Sequence, residues 1–195
     1  MENENGYRCD ECGKEIKHRS VHLTNSDGDP GRLLCLECYN REMAAIANVE
    51  FEHPTFPTVL LTDVDGEEHR FDFAVQLFGY RVTIEAYELE VEHGYRFEIG
   101  GNPEDVQKLF NKLLGRMRRG LSRKHIEVDE SGEMPDMLDE MEARGRIEWD
   151  DESDGQLPLL VIDGKPVTWH QFGQILSSFE GWQFMLEIKE PTDEV

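Results

Sequence analysis

Cys9-Asp10-Glu11-Cys12-Gly13 and Cys35-Leu36-Glu37-Cys38 are two Cys-x-x-Cys pairs that hold all 4 cysteines of the chain and stand 22 residues apart. A tight Cys-x-x-Cys turn places two sulfurs on one ion, and two such turns complete the tetrahedral four-ligand shell that zinc prefers. Gly13 follows the second ligand, where it can take a left-handed conformation without steric cost. The second pair runs into Tyr39-Asn40-Arg41-Glu42-Met43-Ala44-Ala45-Ile46, a good helix-forming stretch. Its thiolates therefore open a helix, where the dipole favours them and lowers their pKa. Between the pairs, Asn25-Ser26-Asp27-Gly28-Asp29-Pro30-Gly31 is rich in turn residues and leaves room for a hairpin.

Other readings of the cysteines fit less well. The start, Met1-Glu2-Asn3-Glu4-Asn5-Gly6, has neither the basic nor the apolar region of an export signal, and no run is long and apolar enough to span a membrane. A cytoplasmic location is expected, and in a reducing compartment paired cysteines hold metal more often than they form disulfides. A thioredoxin-like pair would follow a strand in a βαβ unit, and two pairs are one more than that chemistry needs. Cys9, Cys12, Cys35 and Cys38 are thus expected to bind one zinc ion per chain. A filled four-thiolate shell has no open position for water, so the ion is expected to be structural. His18 and His22 lie between the pairs and read as surface residues, since the cysteines already fill the shell.

Knuckle, hairpin and a second pair opening a helix together resemble the treble-clef group of zinc fingers over residues 7–47, with all four of the group's ligand positions matched. The resemblance implies a fold and not an activity, because treble clefs serve DNA readers, ribosomal proteins, partner-binding modules and nucleases. The His and Asn pattern of the nuclease branch is not apparent.

The remainder reads as a second, larger domain. The 195 residues suit a small module of residues 1–48 attached to an α+β body of residues 49–195, with a possible sub-boundary near 126–133. Residues 57–99 have the alternation and turn signals of an antiparallel meander, with strands at 58–64, 68–77, 81–91 and 95–99. A helix over 103–124 follows, capped by Asn102, with Pro103 at its first position and Glu104 and Asp105 at the positive end of its dipole. Val106, Leu109, Phe110, Leu113, Met117 and Leu121 share one face, and Lys108, Lys112, Arg116, Arg119 and Arg123 form a basic stripe on another. Gly115 and Gly120 are expected to loosen or shorten it.

Beyond a polar linker at 126–133, Met134, Met137, Leu138 and Met141 suggest a second, acidic helix that buries its methionine stripe and stops at Gly145. Strands are expected at 146–150 and 157–162, with a turn at Asp163-Gly164. A last helix starts at Thr168, whose spacing to Gln171 fits a capping box, carries Trp169, Phe172, Leu176 and Phe179 on one side, and ends at Gly181. Residues 182–188 then read as a returning strand. The fold expected is α+β: a treble-clef-like zinc module, then an antiparallel sheet packed with two to three helices.

Charge narrows the function. With 42 Asp and Glu against 20 Lys and Arg, the net charge of -22 repels phosphate backbones at long range and disfavours nucleic-acid binding. Only 101–128 is locally basic, with seven Lys and Arg against three Asp and Glu. Its stripe either meets an external anion or partner, or is neutralised by the acidic segment 129–154. Asp150-Asp151-Glu152-Ser153-Asp154-Gly155 has the look of a calcium loop, but its twelfth position is Val161, where a bidentate Glu belongs, so a solvated acidic turn is the plainer reading. Asp63 and Asp65 flank a hairpin tip, where turn chemistry explains them as well as metal or acid–base chemistry does. His53, His69, His93, His125 and His170 are scattered, and no phosphate loop, nucleophile elbow or His-Glu-x-x-His occurs, so no catalytic residue is assigned. The function expected is a zinc-stabilised, non-enzymatic module that binds another protein. The alternative is an enzyme or nucleic-acid-associated protein working through the basic helix 103–124.

Overall fold

In the computed structural model, which describes residues 7–16, 20–23, 31–128, 135–137 and 141–193, strand β1 (Ser20–Leu23) pairs antiparallel with β2 (Arg32–Cys35), with Ser20 opposite Cys35. Strand β2 leads without a break into helix α1 (Leu36–Ala47), whose N-cap is Cys35. Of the turn expected at 25–31, residues 25–30 lie outside the described residues, and Gly31 has φ 76°.

The meander follows as a four-stranded sheet in the order β3 (Val59–Thr62), β4 (Glu68–Phe78), β5 (Arg81–Glu88), β6 (Arg96–Gly101). Strand β5 stops before its expected end at 91, because Glu90 turns left-handed (φ 64°) and the Leu89 N–H bonds to the Arg70 carbonyl at 2.8 Å. The Asn102 side chain then caps a 3-10 turn (Pro103–Asp105) by accepting from the Glu104 N–H, and helix α2 (Val106–Leu121) continues it. Helix α2 ends three residues earlier than expected. Its last carbonyl, that of Leu121, accepts the Val64 N–H at 3.0 Å, and the Ser122 hydroxyl folds back on the Arg119 carbonyl at 2.7 Å.

Among the described residues of 134–144, which are 135–137 and 141–144, the expected acidic helix is not found. Pro135–Met137 is strand β8, paired antiparallel with β7 (Ile126–Val128) so that Met137 lies opposite Ile126. The first residues of the expected linker 126–133 are thus strand. Residues 141–144 are not helical either, and Met141, expected in a buried stripe, is exposed with φ 49°. Met134 and Leu138 lie outside the described residues. A short run of weak helical period has little stability of its own, and here pairing with β7 decides the backbone.

Strands β9 (Gly145–Trp149), β10 (Pro158–Ile162) and β11 (Lys165–Thr168) form an antiparallel sheet in the order β11-β10-β9. Asp163 and Gly164, both with positive φ (51° and 69°), close the β10–β11 hairpin, as favoured two-residue hairpin turns require. Helix α3 (Trp169–Ser177) begins with the expected capping box between Thr168 and Gln171, but it ends short of Gly181. The strand expected at 182–188 is absent. Among the described residues that segment joins no sheet, and its apolar residues are exposed. Alternation supplies strand propensity, but a strand exists only beside another.

The architecture is therefore α+β, with its packing divided into two compact units. Met1–Thr58, Asp72–Ala86 and Glu98–Leu114 make one, and Val59–Phe71, Tyr87–Phe97 and Gly115–Val195 the other. In the first, Phe56 stacks on Phe110 with ring centroids 3.9 Å apart, and Phe73 meets Phe110 edge-on at 4.9 Å. In the second, Phe97 packs against Phe71 and Tyr95, and Ile126, Ile162 and Val167 form a small core that Phe172 helps to cover. Leu109, Phe110, Leu113, Met117 and Leu121 are all buried, the side of α2 that periodicity assigns to the core.

Candidate metal centre

The cysteine cluster is assembled from a turn, a strand end and a helix start. At the turn, the Cys9 N–H bonds to the Lys14 carbonyl at 2.9 Å, the Gly13 N–H bonds to the Cys9 carbonyl at 2.8 Å, and Gly13 adopts φ 71°. Asp10 joins this turn to β2 twice: its N–H donates to the Leu33 carbonyl at 2.9 Å, and its carboxylate accepts the Leu33 N–H at 2.6 Å. That pair of bonds sets the first Cys-x-x-Cys against the second. Cys35 caps α1 through its backbone alone, without a side-chain cap bond, and Cys38 lies in the first turn.

The four ligand atoms lie within 4.8 Å of one another, and the Cys12 and Cys35 Sγ atoms are 3.8 Å apart. Two sulfurs each 2.3 Å from a tetrahedral ion stand about 3.8 Å apart. A disulfide would need about 2.05 Å, and all four cysteines are free. Donor set and spacing fit a metal ion, with Cys9, Cys12, Cys35 and Cys38 its ligands.

The pKa lowering expected for the second pair at its helix start is not found, because burial and the neighbouring thiols outweigh the dipole. Burial raises the Cys9 pKa, but the backbone N–H groups of Cys35, Cys12 and Glu11 outweigh it and bring the thiol down to about 6. Burial and the neighbouring thiols push Cys38 well up, and burial leaves Cys35 raised as well. Without a cation the Cys9 thiolate is favoured while Cys35 and Cys38 resist ionisation; four thiolates together require a positive ion among them. The Arg41 guanidinium approaches Cys38 Sγ at 3.6 Å, and Lys14–Glu37 (2.7 Å) and Arg32–Glu42 (2.8 Å) ion pairs brace the rim. Cys9, Leu34, Cys38 and Tyr39 make a small core under the cluster, with Ile16, Val21 and Met43 at its edge. His18 and the His22 side chain lie outside the described residues.

Sequence reasoning did not single out Asp10 or Asn40. Asp10 had a weak signal, being the first residue after a ligand, where a short carboxylate can reach neighbouring backbone. Asn40, buried in α1, had none.

The basic stripe is distributed over several environments. Lys108 pairs with Asp105 at 2.6 Å, and Arg116 donates to the Thr192 carbonyl at 3.1 and 3.2 Å. Arg123 lies near enough to Glu142 to favour its carboxylate, behind the direct Arg144 contact. Lys112 and Arg119 are exposed. Residues 129–134 and 138–140 of the acidic segment expected to neutralise the stripe lie outside the described residues. Among the described residues, three or more potential metal-ligating atoms converge in only two places, the four cysteines and the Asp63–Glu67–His69 group. The carboxylates of the 150–155 loop belong to neither group. The Asp150 carboxylate accepts the Glu152 N–H at 3.0 Å instead, as a turn residue does. No described helix is long and apolar enough to cross a membrane.

Fold and cluster together define an α+β protein with a four-cysteine site suited to a metal ion. Consecutive stretches of the chain are similar to three domains of unknown function: DUF7685 over residues 8–50, DUF7686 over 52–122 and DUF7713 over 125–193. No curated protein matches the chain, and no solved structure does.

Proposed function

We propose that the chain is a non-enzymatic protein-interaction module, that its cysteine cluster holds one structural zinc ion in a treble-clef-like finger, and that residues 182–188 present an extended segment to a partner protein. A hairpin between the pairs and a helix opened by the second pair support the treble-clef reading, and four sulfur donors at tetrahedral spacing support zinc. In a finger whose own core is this small, zinc binding contributes on the order of 10 kcal/mol to folding.

The observation that carries the interaction role is the segment Trp182-Gln183-Phe184-Met185-Leu186-Glu187-Ile188. Phe184 and Met185 are 89% and 92% exposed, and Trp182, Leu186 and Ile188 are exposed too. Among the described residues, no backbone N–H from 183 to 188 reaches a backbone carbonyl. The segment is held at both ends, by the Phe179–Trp182 ring contact and by the Arg116 bonds to Thr192. Trp182, Phe184, Leu186 and Ile188 fall on one face of an extended chain. Such a segment completes itself by adding to the open edge of a partner's sheet, gaining ladder hydrogen bonds and an apolar face together. A second copy is a poor occupant, because a net charge of -22 repels it. Glu180, Glu187 and Glu190 flank the apolar face, so the partner's edge is expected to carry a basic rim.

The test compares wild type with a Phe184→Asp, Leu186→Asp double variant. Full-length protein is used to capture partners from its own cell extract, and the candidate is then purified and titrated. A single protein lost on double substitution, whose direct binding weakens at least about 100-fold while the melting temperature holds, supports the proposal. A captured set that the substitutions leave unchanged contradicts it.

A further inference from the structure

The β3–β4 hairpin carries a second group of converging ligands, independent of the cysteines. The Asp63 Oδ1 atom is consumed by the turn, accepting the Asp65 and Glu67 N–H groups at 2.9 and 2.8 Å. Its Oδ2 atom faces inward, 3.2 Å from Lys124 Nζ and 3.5 Å from His69 Nε2. Burial raises the Asp63 pKa, but the Glu67 N–H and Lys124 outweigh it and hold the carboxyl down at about 2, so it is ionised. One ligand atom each from Asp63, Glu67 and His69 lies within 4.8 Å of the others. Asp63 and His69 are buried, and Glu67 faces solvent.

His69 is the informative member. It is only 7% exposed, and its Nε2 is fully buried without a hydrogen-bond partner among the described residues. The 3.5 Å to Asp63 is too long for a hydrogen bond. It is close to the separation of about 3.4 Å between two atoms that share a tetrahedral ion at metal–ligand distances of about 2.05 Å. The other ring nitrogen is fixed: Nδ1 lies 2.6 Å from Glu88 Oε1, and Glu88 Oε2 accepts the Tyr95 N–H at 2.9 Å. The Tyr95 ring lies edge-on to the imidazole at 5.2 Å. When a carboxylate accepts a hydrogen bond from Nδ1–H, the neutral ring keeps its Nε2 lone pair directed into the group, the arrangement that orients histidine ligands on metals. Charge points the same way: Lys124 pairs with Asp63 and Asp65, while Glu67 and Glu88 bring two further carboxylates to the group through Asp63 and His69.

We infer that Asp63, Glu67 and His69 form a second divalent-cation site, with Glu88 as the positioning residue for His69 and Lys124 as the charge an incoming ion competes with. One imidazole nitrogen and two carboxylates suit zinc among divalent cations.

The test titrates zinc ion alone into the full-length protein as purified, following both heat and the imidazole NMR signals of His69, which report this site whatever the cysteines hold. One ion per chain is expected to shift the His69 signals to saturation. Glu88→Gln should weaken binding at least tenfold, the range for a lost orienting partner, and Glu67→Gln likewise. His69→Gln should abolish it without changing the cysteine-bound metal content, and Lys124→Met should tighten it. Should His69→Gln fail to fold, Glu67→Gln decides, because its side chain lies on an exposed turn. His69 signals that ignore zinc, or binding unchanged in Glu67→Gln and Glu88→Gln, overturn the inference.

Discussion

The Asn40 side chain does for Val75 and Leu77 what a neighbouring strand would do: its Nδ2 donates to the Val75 carbonyl at 2.7 Å, and its Oδ1 accepts the Leu77 N–H at 2.8 Å. The second Nδ2 proton goes to His53 Nδ1, also at 2.7 Å. Asn40 is wholly buried two residues after the last cysteine, so the helix that carries the metal ligands also serves β4. Asn40→Leu leaves a buried carbonyl and a buried N–H unsatisfied, at about 1–3 kcal/mol each. Asn40→Asp keeps the acceptor but turns a carboxylate on the Val75 carbonyl. Both are expected to lower the denaturant midpoint strongly with an unchanged slope; a midpoint that stays near wild type contradicts this role.

His53 gives the same network a pH dependence. Its Nδ1 accepts from Asn40, which suits only the neutral ring, and burial lowers its pKa. The unfolded chain takes up a proton near pH 6.5 that the folded chain resists. The stability contributed is therefore complete above about pH 6.5 and is lost as pH falls toward the folded value. Denaturant midpoints at pH 7.5 and 5.5 should show a decrease in wild type relative to His53→Gln, whose amide oxygen can accept the same bond. An equal response in both proteins would remove His53 from the account.

Two glycines of α2 give opposite expectations. A Cβ at Gly115 would meet only the end of Arg119, at 3.5 Å, so Gly115→Ala should stabilise by up to about 1 kcal/mol through helix propensity. A Cβ at Gly120 would come within 2.5 Å of Phe97, whose ring is packed against Phe71 and Tyr95. Gly120→Ala should therefore destabilise despite the same propensity gain. Thermal melts of the two variants that move in the same direction would contradict the packing.

The elements most legible in the sequence are those set by near neighbours. Asn102 with Pro103, and Thr168 with Gln171, announce their helix starts within four residues, and the cysteine spacing announces its cluster. What escaped depends on distant partners. Asn40 is defined by a strand 35 residues away, and His69 by Glu88 on the adjacent strand. Pro135–Met137 becomes a strand only because Ile126–Val128 is beside it. Residues 182–188 have the pattern of a strand and lack the neighbour. Lys165–Thr168 contains Pro166, which a strand accommodates at a sheet edge, and the edge position of β11 is set by its pairing with β10.

The basic stripe separates the interaction reading from its alternative. Arg116→Glu with Arg119→Glu removes the Thr192 contact and reverses two charges. It should lower stability modestly, and less at high salt, since exposed pairs contribute at most about 1 kcal/mol each. RNA or DNA binding with a steep salt dependence, abolished by this change at constant melting temperature, would instead make the helix a nucleic-acid site.

In the proposed finger, Cys9, Cys12, Cys35 and Cys38 act together as thiolate ligands of one zinc ion. Native mass spectrometry of the purified full-length chain, combined with alkylation before and after a chelator, tests it most directly. Zinc should be present, the four cysteines should be shielded together from alkylation, and the chelator should release zinc and expose all four at once. A metal-free chain whose cysteines alkylate freely, or one lighter by the hydrogens lost to disulfides, would contradict it.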